Sequence, residues 1–222
     1  YSSAASDVYK RQHLSDQTDV LELYNQFPNE LNNEAKLFSI GIHPAYIKTS
    51  SIKEEIEIIN QTISNKNCLA IGEIGLDKLC ETDFELQINV LKKQLEIAMQ
   101  HQLPVIIHSV RAYQEILQIR KQMKLTIPFI FHGFNKNEQL LNQIIAQNCF
   151  ASFGKNLLSN KNLQIIFANL SANQFFLEND ASEISIEEIY TFAADLRKIT
   201  IEELQLQQAK NWKAIFGYEV QS

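Results

Sequence analysis

Short runs of β-branched and aromatic residues recur along the chain, at residues 38–42, 69–71, 105–107, 129–131, 150–153 and 175–177, and none alternates cleanly between apolar and polar. A strand that is apolar at every position has to be covered on both faces, which is the condition of a strand inside a parallel sheet. Segments of helical periodicity lie around these runs. Ile52, Ile56, Ile59 and Ile63 recur at spacings of four and three, as do Phe84, Ile88, Leu91, Leu95 and Ala98. Ile201, Leu204, Gln208, Trp212 and Ile215 continue the pattern near the C-terminus with one polar interruption. Each is an apolar stripe that needs a sheet or a second helix to cover it. Ser51 with Glu54, Thr82 with Glu85, Ser185 with Glu188 and Thr200 with Glu203 carry the hydroxyl–glutamate spacing of a capping box, which predicts helix starts there. The stretch "DVLELYNQF" at 19–27 is open between helix and strand, and strand is the better reading.

Strand and helix therefore alternate through most of the chain, with no linker and no low-complexity tract. That pattern predicts one α/β domain with a parallel sheet. A length of 222 residues with 45% hydrophobic composition is enough for a large core, and single α/β barrels fill this size range. An open doubly wound sheet fits the same alternation. The polar residues favour a closed (β/α)8 barrel, in which functional side chains stand at the C-terminal ends of several strands and meet over one mouth. "FSIGIH" ends on His43, "LAIGE" on Glu73, "PVIIH" on His108 and "FIFH" on His132, while "FFLEND" passes Glu178 to reach Asp180.

Imidazoles and carboxylates meeting at one mouth make an N/O donor set suited to Zn, Mn, Fe or Mg. A cation in such a set lowers the pKa of water and makes it a nucleophile near neutral pH, so metal-assisted hydrolysis is the chemistry these residues support. No Ser-His-Asp constellation and no Gly-rich phosphate loop stands out. The net charge of −6 argues against a protein that coats nucleic acid by neutralising phosphates, though bound metal ions would add positive charge that this count omits. Cys68, Cys80 and Cys149 are scattered and form no CxxC pair, which predicts a reduced, cytoplasmic protein without a zinc–thiolate site. No apolar run approaches a membrane span, and the first residues carry no signal-peptide core.

"IGIHP", "AIGEIGLD", "PVIIHS", "FIFHGF" and "FLEND", in this order, resemble the TatD-family metal-dependent hydrolases. "GEIGLDKLC" and the HxxxAY spacing that starts at His108 look most like a short subgroup of that family. The resemblance runs from about Asp19 to the C-terminus. It implies a (β/α)8 TIM-type barrel, two divalent metal ions (Mg, Mn or Zn) and, as for several members, deoxyribonuclease activity. Carried over by position, Glu73 would be the carboxylate shared between two metals, and His108 and His132 the imidazole ligands of the second. Asp180 would be the metal-bound carboxylate that orients the water, with Asn179 where the family usually has threonine. For His43 three readings stand open: contact with substrate phosphate, support behind a ligand, or a structural role.

The family begins with a strand carrying an HxH pair, and this chain has no HxH. Its opening "YSSAASDVYKRQ" resembles a translated sequencing adaptor, so residues 1–12 are expected to be non-native and residues 13–222 to form the single hydrolase barrel domain, N-terminally truncated. The first barrel strand is then missing or replaced by non-native residues, and His13 is either a remnant of the lost pair or its neighbour. The expected function is divalent-metal-dependent hydrolysis of phosphodiester bonds in DNA, with Glu73 and Asp180 catalytic and His43 binding substrate. A small-molecule ester or amide substrate is the alternative, and a non-catalytic metal-binding relic is the reading favoured by the absent HxH.

Overall fold

The structure is a computed structural model that describes residues 8–11, 21–32, 36–180 and 182–217; His13 lies outside them. The chain forms two compact units, Asn25–His132 and a second made of Tyr1–Tyr24 with Gly133–Ser222. Strand β1 (Val8–Arg11) falls within the adaptor-like opening and runs antiparallel to β2 (Leu21–Gln26), with Val8 opposite Tyr24 and Arg11 opposite Leu21. A (β/α)8 barrel needs a parallel strand in first place. The strand that stands there has the opposite direction.

The unit Asn25–His132 follows the βα grammar read from the sequence. Its elements are β3 (Phe38–Ile40), α1 (Ile52–Thr62), β4 (Cys68–Asp77), α2 (Phe84–His101), β5 (Val105–Val110), α3 (Tyr113–Gln122) and β6 (Phe129–Phe131). Strands β3, β4, β5 and β6 pair in parallel in that order. Ile40, Ile71, Val105, Ile107, Phe129 and Phe131 are fully buried, as runs apolar on both faces must be.

Strands β4 and β5 run longer than their apolar cores. The expected strand at 69–71 extends to Asp77, because "GEIGLD" goes on pairing with β5 through Gly75 opposite His108 and Asp77 opposite Val110. Gly75 has φ of 155°, and a Cβ there would stand 1.9 Å from the carbonyl oxygen of His108. Only glycine lets the two backbones come this close.

The helix starts divide. Thr200 forms the full capping box with Glu203, and Ser185 accepts the Glu188 N–H. Ser51 instead donates its hydroxyl to the Lys48 carbonyl and the Glu55 carboxylate, and α2 is capped by Asp83, which accepts the Leu86 N–H, rather than by Thr82. An aspartate one residue nearer the helix offers the better-placed acceptor.

The other unit contains α4 (Glu138–Ala146), β7 (Phe150–Phe153), α5 (Asn156–Ser159), α6 (Lys161–Asn169), β8 (Phe175–Leu177), α7 (Ile186–Arg197) and α8 (Ile201–Phe216). Strands β7 and β8 are parallel, and Phe153, Phe167 and Phe175 form an aromatic cluster with ring centroids 4.8–6.4 Å apart. The polar interruption in α8 has a purpose. Gln208 and Asn211 are buried and donate to the Phe175 carbonyl at 3.3 and 2.9 Å, which anchors α8 to the start of β8. Trp212 is core, as its place in the stripe predicts. No helix among the described residues is long and apolar enough to cross a membrane.

All three cysteines are free thiols. Burial pushes the Cys68 thiol from its ordinary 9.0 up to about 12. The native chain thus holds this proton where the unfolded chain has lost it. The associated stability is complete below about pH 8.5 and is lost as pH rises towards 12. The gap in urea midpoint between the wild type and Cys68→Ala is expected to shrink steadily from pH 8 to pH 11. A gap that stays constant would mean that Cys68 ionises as readily folded as unfolded.

Candidate metal centre

Within Asn25–His132 the neighbouring parallel strands bring Glu73, midway along β4, His108, in the outer half of β5, and His132, just after β6, onto one point. Glu73 is 4% exposed, on β4. Its Oε1 lies 2.7 Å from Nδ1 of His108, at the outer part of β5, and 2.6 Å from Nε2 of His132, just after β6. The two imidazole nitrogens are 3.3 Å apart. Zinc-like ions hold nitrogen and oxygen donors at about 2.0–2.2 Å, and donors in such a shell stand about 3 Å from each other. Three donor atoms 2.6, 2.7 and 3.3 Å apart fit one small divalent ion.

The strand register explains why His108 faces both ways. His108 pairs with Gly75, so its imidazole lies over a position without a side chain, between the residues two before and two after on β4. Those residues are Glu73 and Asp77. Nδ1 meets Glu73, and Nε2 stands 3.3 Å from Oδ2 of Asp77. A carboxylate only accepts, and one faces each nitrogen of His108, so a proton on Nδ1 serves Glu73 and a proton on Nε2 serves Asp77. With an ion held beside Glu73, Nδ1 would ligate and Nε2 would carry the proton for Asp77. A carboxylate paired with a histidine in this way can orient the ring as a metal ligand. Asp77 also accepts the Leu79 N–H at 2.7 Å, the turn-ending role that its position suggests.

Glu73 is held from behind by Asn25, whose side-chain amide donates to Oε2 at 3.4 Å while its oxygen accepts the Glu73 N–H. Ser39, fully buried on β3, donates to the same Asn25 oxygen at 3.2 Å. An asparagine inside a buried strand is unfavourable unless its amide is used, and that was the signal in "ELYNQF".

Two glutamines of α2 fix the neighbouring strand ends. Gln94 accepts the Ile42 N–H at 2.7 Å and donates to the Ile42 carbonyl at 3.2 Å. Gln87 does the same for Asp77, at 2.8 and 3.0 Å. Each amide supplies one donor and one acceptor to a backbone that would otherwise lose its partners when the strand ends.

His43 follows Ile42 and joins Glu73 and His108 in a group of potential ligand atoms. It is not the end of a strand but the cap of a short 3₁₀ turn, Pro44–Tyr46. Its Nδ1 accepts the Ala45 N–H at 3.2 Å, so in the neutral ring the proton sits on Nε2, which is 3.5 Å from Oε1 of Glu73. His43 is thereby set up as a donor rather than a ligand. Asp180 belongs to the other unit, where it is exposed beyond β8 with φ of 43°. In that unit Glu178 is buried, and its carboxylate accepts the Gly133 N–H at 2.6 Å.

The family described as TatD related DNase matches residues 8–217. The chain belongs to the TatD family. An uncharacterised metal-dependent hydrolase of Haemophilus influenzae is 26% identical over 170 residues, 72% of this chain and 62% of that protein. The deoxyribonuclease Tat-D of Schizosaccharomyces pombe is 24% identical over 164 residues, 68% of this chain and 52% of that protein. This TatD chain thus spans roughly half to three-fifths of the length of these curated relatives. Among solved structures, the TatD homolog YjjV of Escherichia coli K12 superposes with a TM-score of 0.73 at 22% identity, covering 82% of this chain and 77% of that one. The likeness shows a shared α/β fold built on parallel strands.

If Asp77 orients His108, Asp77→Ala is expected to weaken zinc binding by about 10- to 100-fold, with Asp77→Asn intermediate. Isothermal titration with Zn would measure it. Equal affinity in wild type and Asp77→Ala would reduce Asp77 to a turn residue.

Proposed function

We propose that this chain is a divalent-metal-dependent hydrolase whose substrates are phosphodiesters, DNA foremost. The observation that supports this most is the approach of two imidazole nitrogens within 2.7 Å of one buried carboxylate oxygen across adjacent parallel strands. Glu73, His108 and His132 would hold an ion. Bound there, it supplies the positive charge that draws a phosphate oxygen and makes water a nucleophile near neutral pH. With an ion bound, Asp77 would accept the His108 Nε2–H and so hold the tautomer whose Nδ1 can ligate. Asn25 fixes the Glu73 carboxylate. His43 offers its Nε2–H beside Glu73, as a donor to an anionic oxygen of the substrate.

On the resemblance to the family we also propose a second ion, and Asp180 as the residue that would orient the water and take its proton. The parallel strands are read, on the same resemblance, as part of a (β/α)8 barrel. The choice of DNA leans on the S. pombe relative, a deoxyribonuclease.

Elemental analysis of the purified chain after loading with Mn or Zn, beside the His108→Ala/His132→Ala double variant, tests the site. Bound metal in the wild type, lost in the double variant together with at least about a 100-fold drop in cleavage of an oligodeoxynucleotide, is expected. No metal in the loaded wild type would remove the basis of the proposal. Cleavage confined to a panel of carboxylic esters and amides would keep the metal centre and replace the substrate.

A further inference from the structure

Tyr46 is 53% exposed although it sits one ring away from the buried centre. It closes the Pro44–Tyr46 turn, whose proline is buried and whose first N–H groups are taken by His43, Ala45 bonding to the ring and Tyr46 to the carbonyl. The phenol ring is braced on two sides. Phe27 meets it edge-on, with centroids 5.5 Å apart and planes at 86°, and His43 lies against it at 5.1 Å and 39°. His43 in turn packs on His108 at 4.3 Å. A row of rings therefore leads from the metal-binding nitrogens out to an open aromatic surface. Beside this turn lies the loop after Asp77, where Cys80 donates to the Pro44 carbonyl at 3.9 Å and Leu79 is 62% exposed.

An exposed aromatic ring on a floppy loop would carry little meaning, since single exposed apolar residues are common. This one is held rigid by a proline turn and two aromatic neighbours, and it costs little entropy to present. Stacking on such a platform is the sequence-tolerant way in which proteins hold the bases of single-stranded nucleic acid. We infer that Tyr46 is the stacking platform for the nucleobase next to the phosphodiester held at Glu73, His108 and His132. The inference rests on the phosphodiester reading above and adds the base to it. The acidic chain favours this arrangement, because grip on the base makes up for weak attraction to the phosphate backbone.

Two strands of equal length separate this inference from the reading beneath it: oligothymidylate, and the same sugar–phosphate chain with abasic sites throughout. Fluorescence anisotropy would measure binding, and end-labelled cleavage with Mn would measure KM and kcat, for wild type, Tyr46→Ala, Tyr46→Phe and Tyr46→Trp. Tyr46→Ala is expected to weaken binding and raise KM for oligothymidylate by about tenfold or more, with kcat little changed. Phe and Trp restore both, and the abasic strand binds the wild type and Tyr46→Ala alike. Equal KM for both strands in the wild type, or a Tyr46→Ala variant that behaves as wild type on oligothymidylate, overturns the platform while leaving the hydrolase reading intact. Cleavage of neither strand refutes the nuclease reading, and absence of binding to either refutes the platform as well. An altered sedimentation coefficient of Tyr46→Ala with unchanged oligonucleotide binding would make the ring a contact between copies of the chain, again overturning the inference.

Discussion

A carboxylate with 4% of its surface exposed is the fact around which the Asn25–His132 unit is arranged. Removing such a group from water costs several kcal/mol unless hydrogen bonds and positive charge take the place of the solvent. Glu73 receives the hydrogen bond from Asn25, and the donor nitrogens of His108 and His132 stand on its other oxygen. Other polar features answer to the same demand. Ser39 steadies Asn25, Asp77 steadies His108, and Gly75 lets the β4 and β5 backbones close together at His108.

Neutral amides do the supporting work throughout. Asn25, Gln87 and Gln94 in one unit, and Gln208 and Asn211 in the other, are buried and bond to backbone at the ends or starts of strands. An amide carries a donor and an acceptor without a charge, so it can replace both halves of a peptide partner at no Born cost. A charged side chain in place of Asn25, which touches Glu73, would compete with it for the local field.

Much of this arrangement can be read from the amino-acid sequence, and the reason is spacing. Apolar runs lead to Glu73, His108 and His132, and these three residues do converge, although only His132 follows the end of its strand: β4 pairs on to Asp77 and β5 to Val110. His43 follows its strand by a short gap, and its role depends on a backbone N–H two residues later, which no composition or period reveals. Asp77 looks like a turn residue and is one. Its second task exists only because β5 pairs with β4 in the register that sets His108 opposite Gly75. Ser51 and Thr82 have the capping-box spacing yet do not cap, since Glu55 and Asp83 offer stronger acceptors nearby. Pairwise motifs fail where a neighbour competes.

Helix α2 carries Gln87 and Gln94 seven residues apart, almost two full turns, so both amides point to the same side of the helix. One clasps the residue before His43 and the other clasps Asp77. A single residue inserted or deleted between them would swing one amide by about 100° and leave its strand end without a partner. A length change here that kept both clasps would have to fall outside the stretch from Gln87 to Gln94, so α2 works as a ruler whose divisions have to stay fixed for the two clasped segments to stay level.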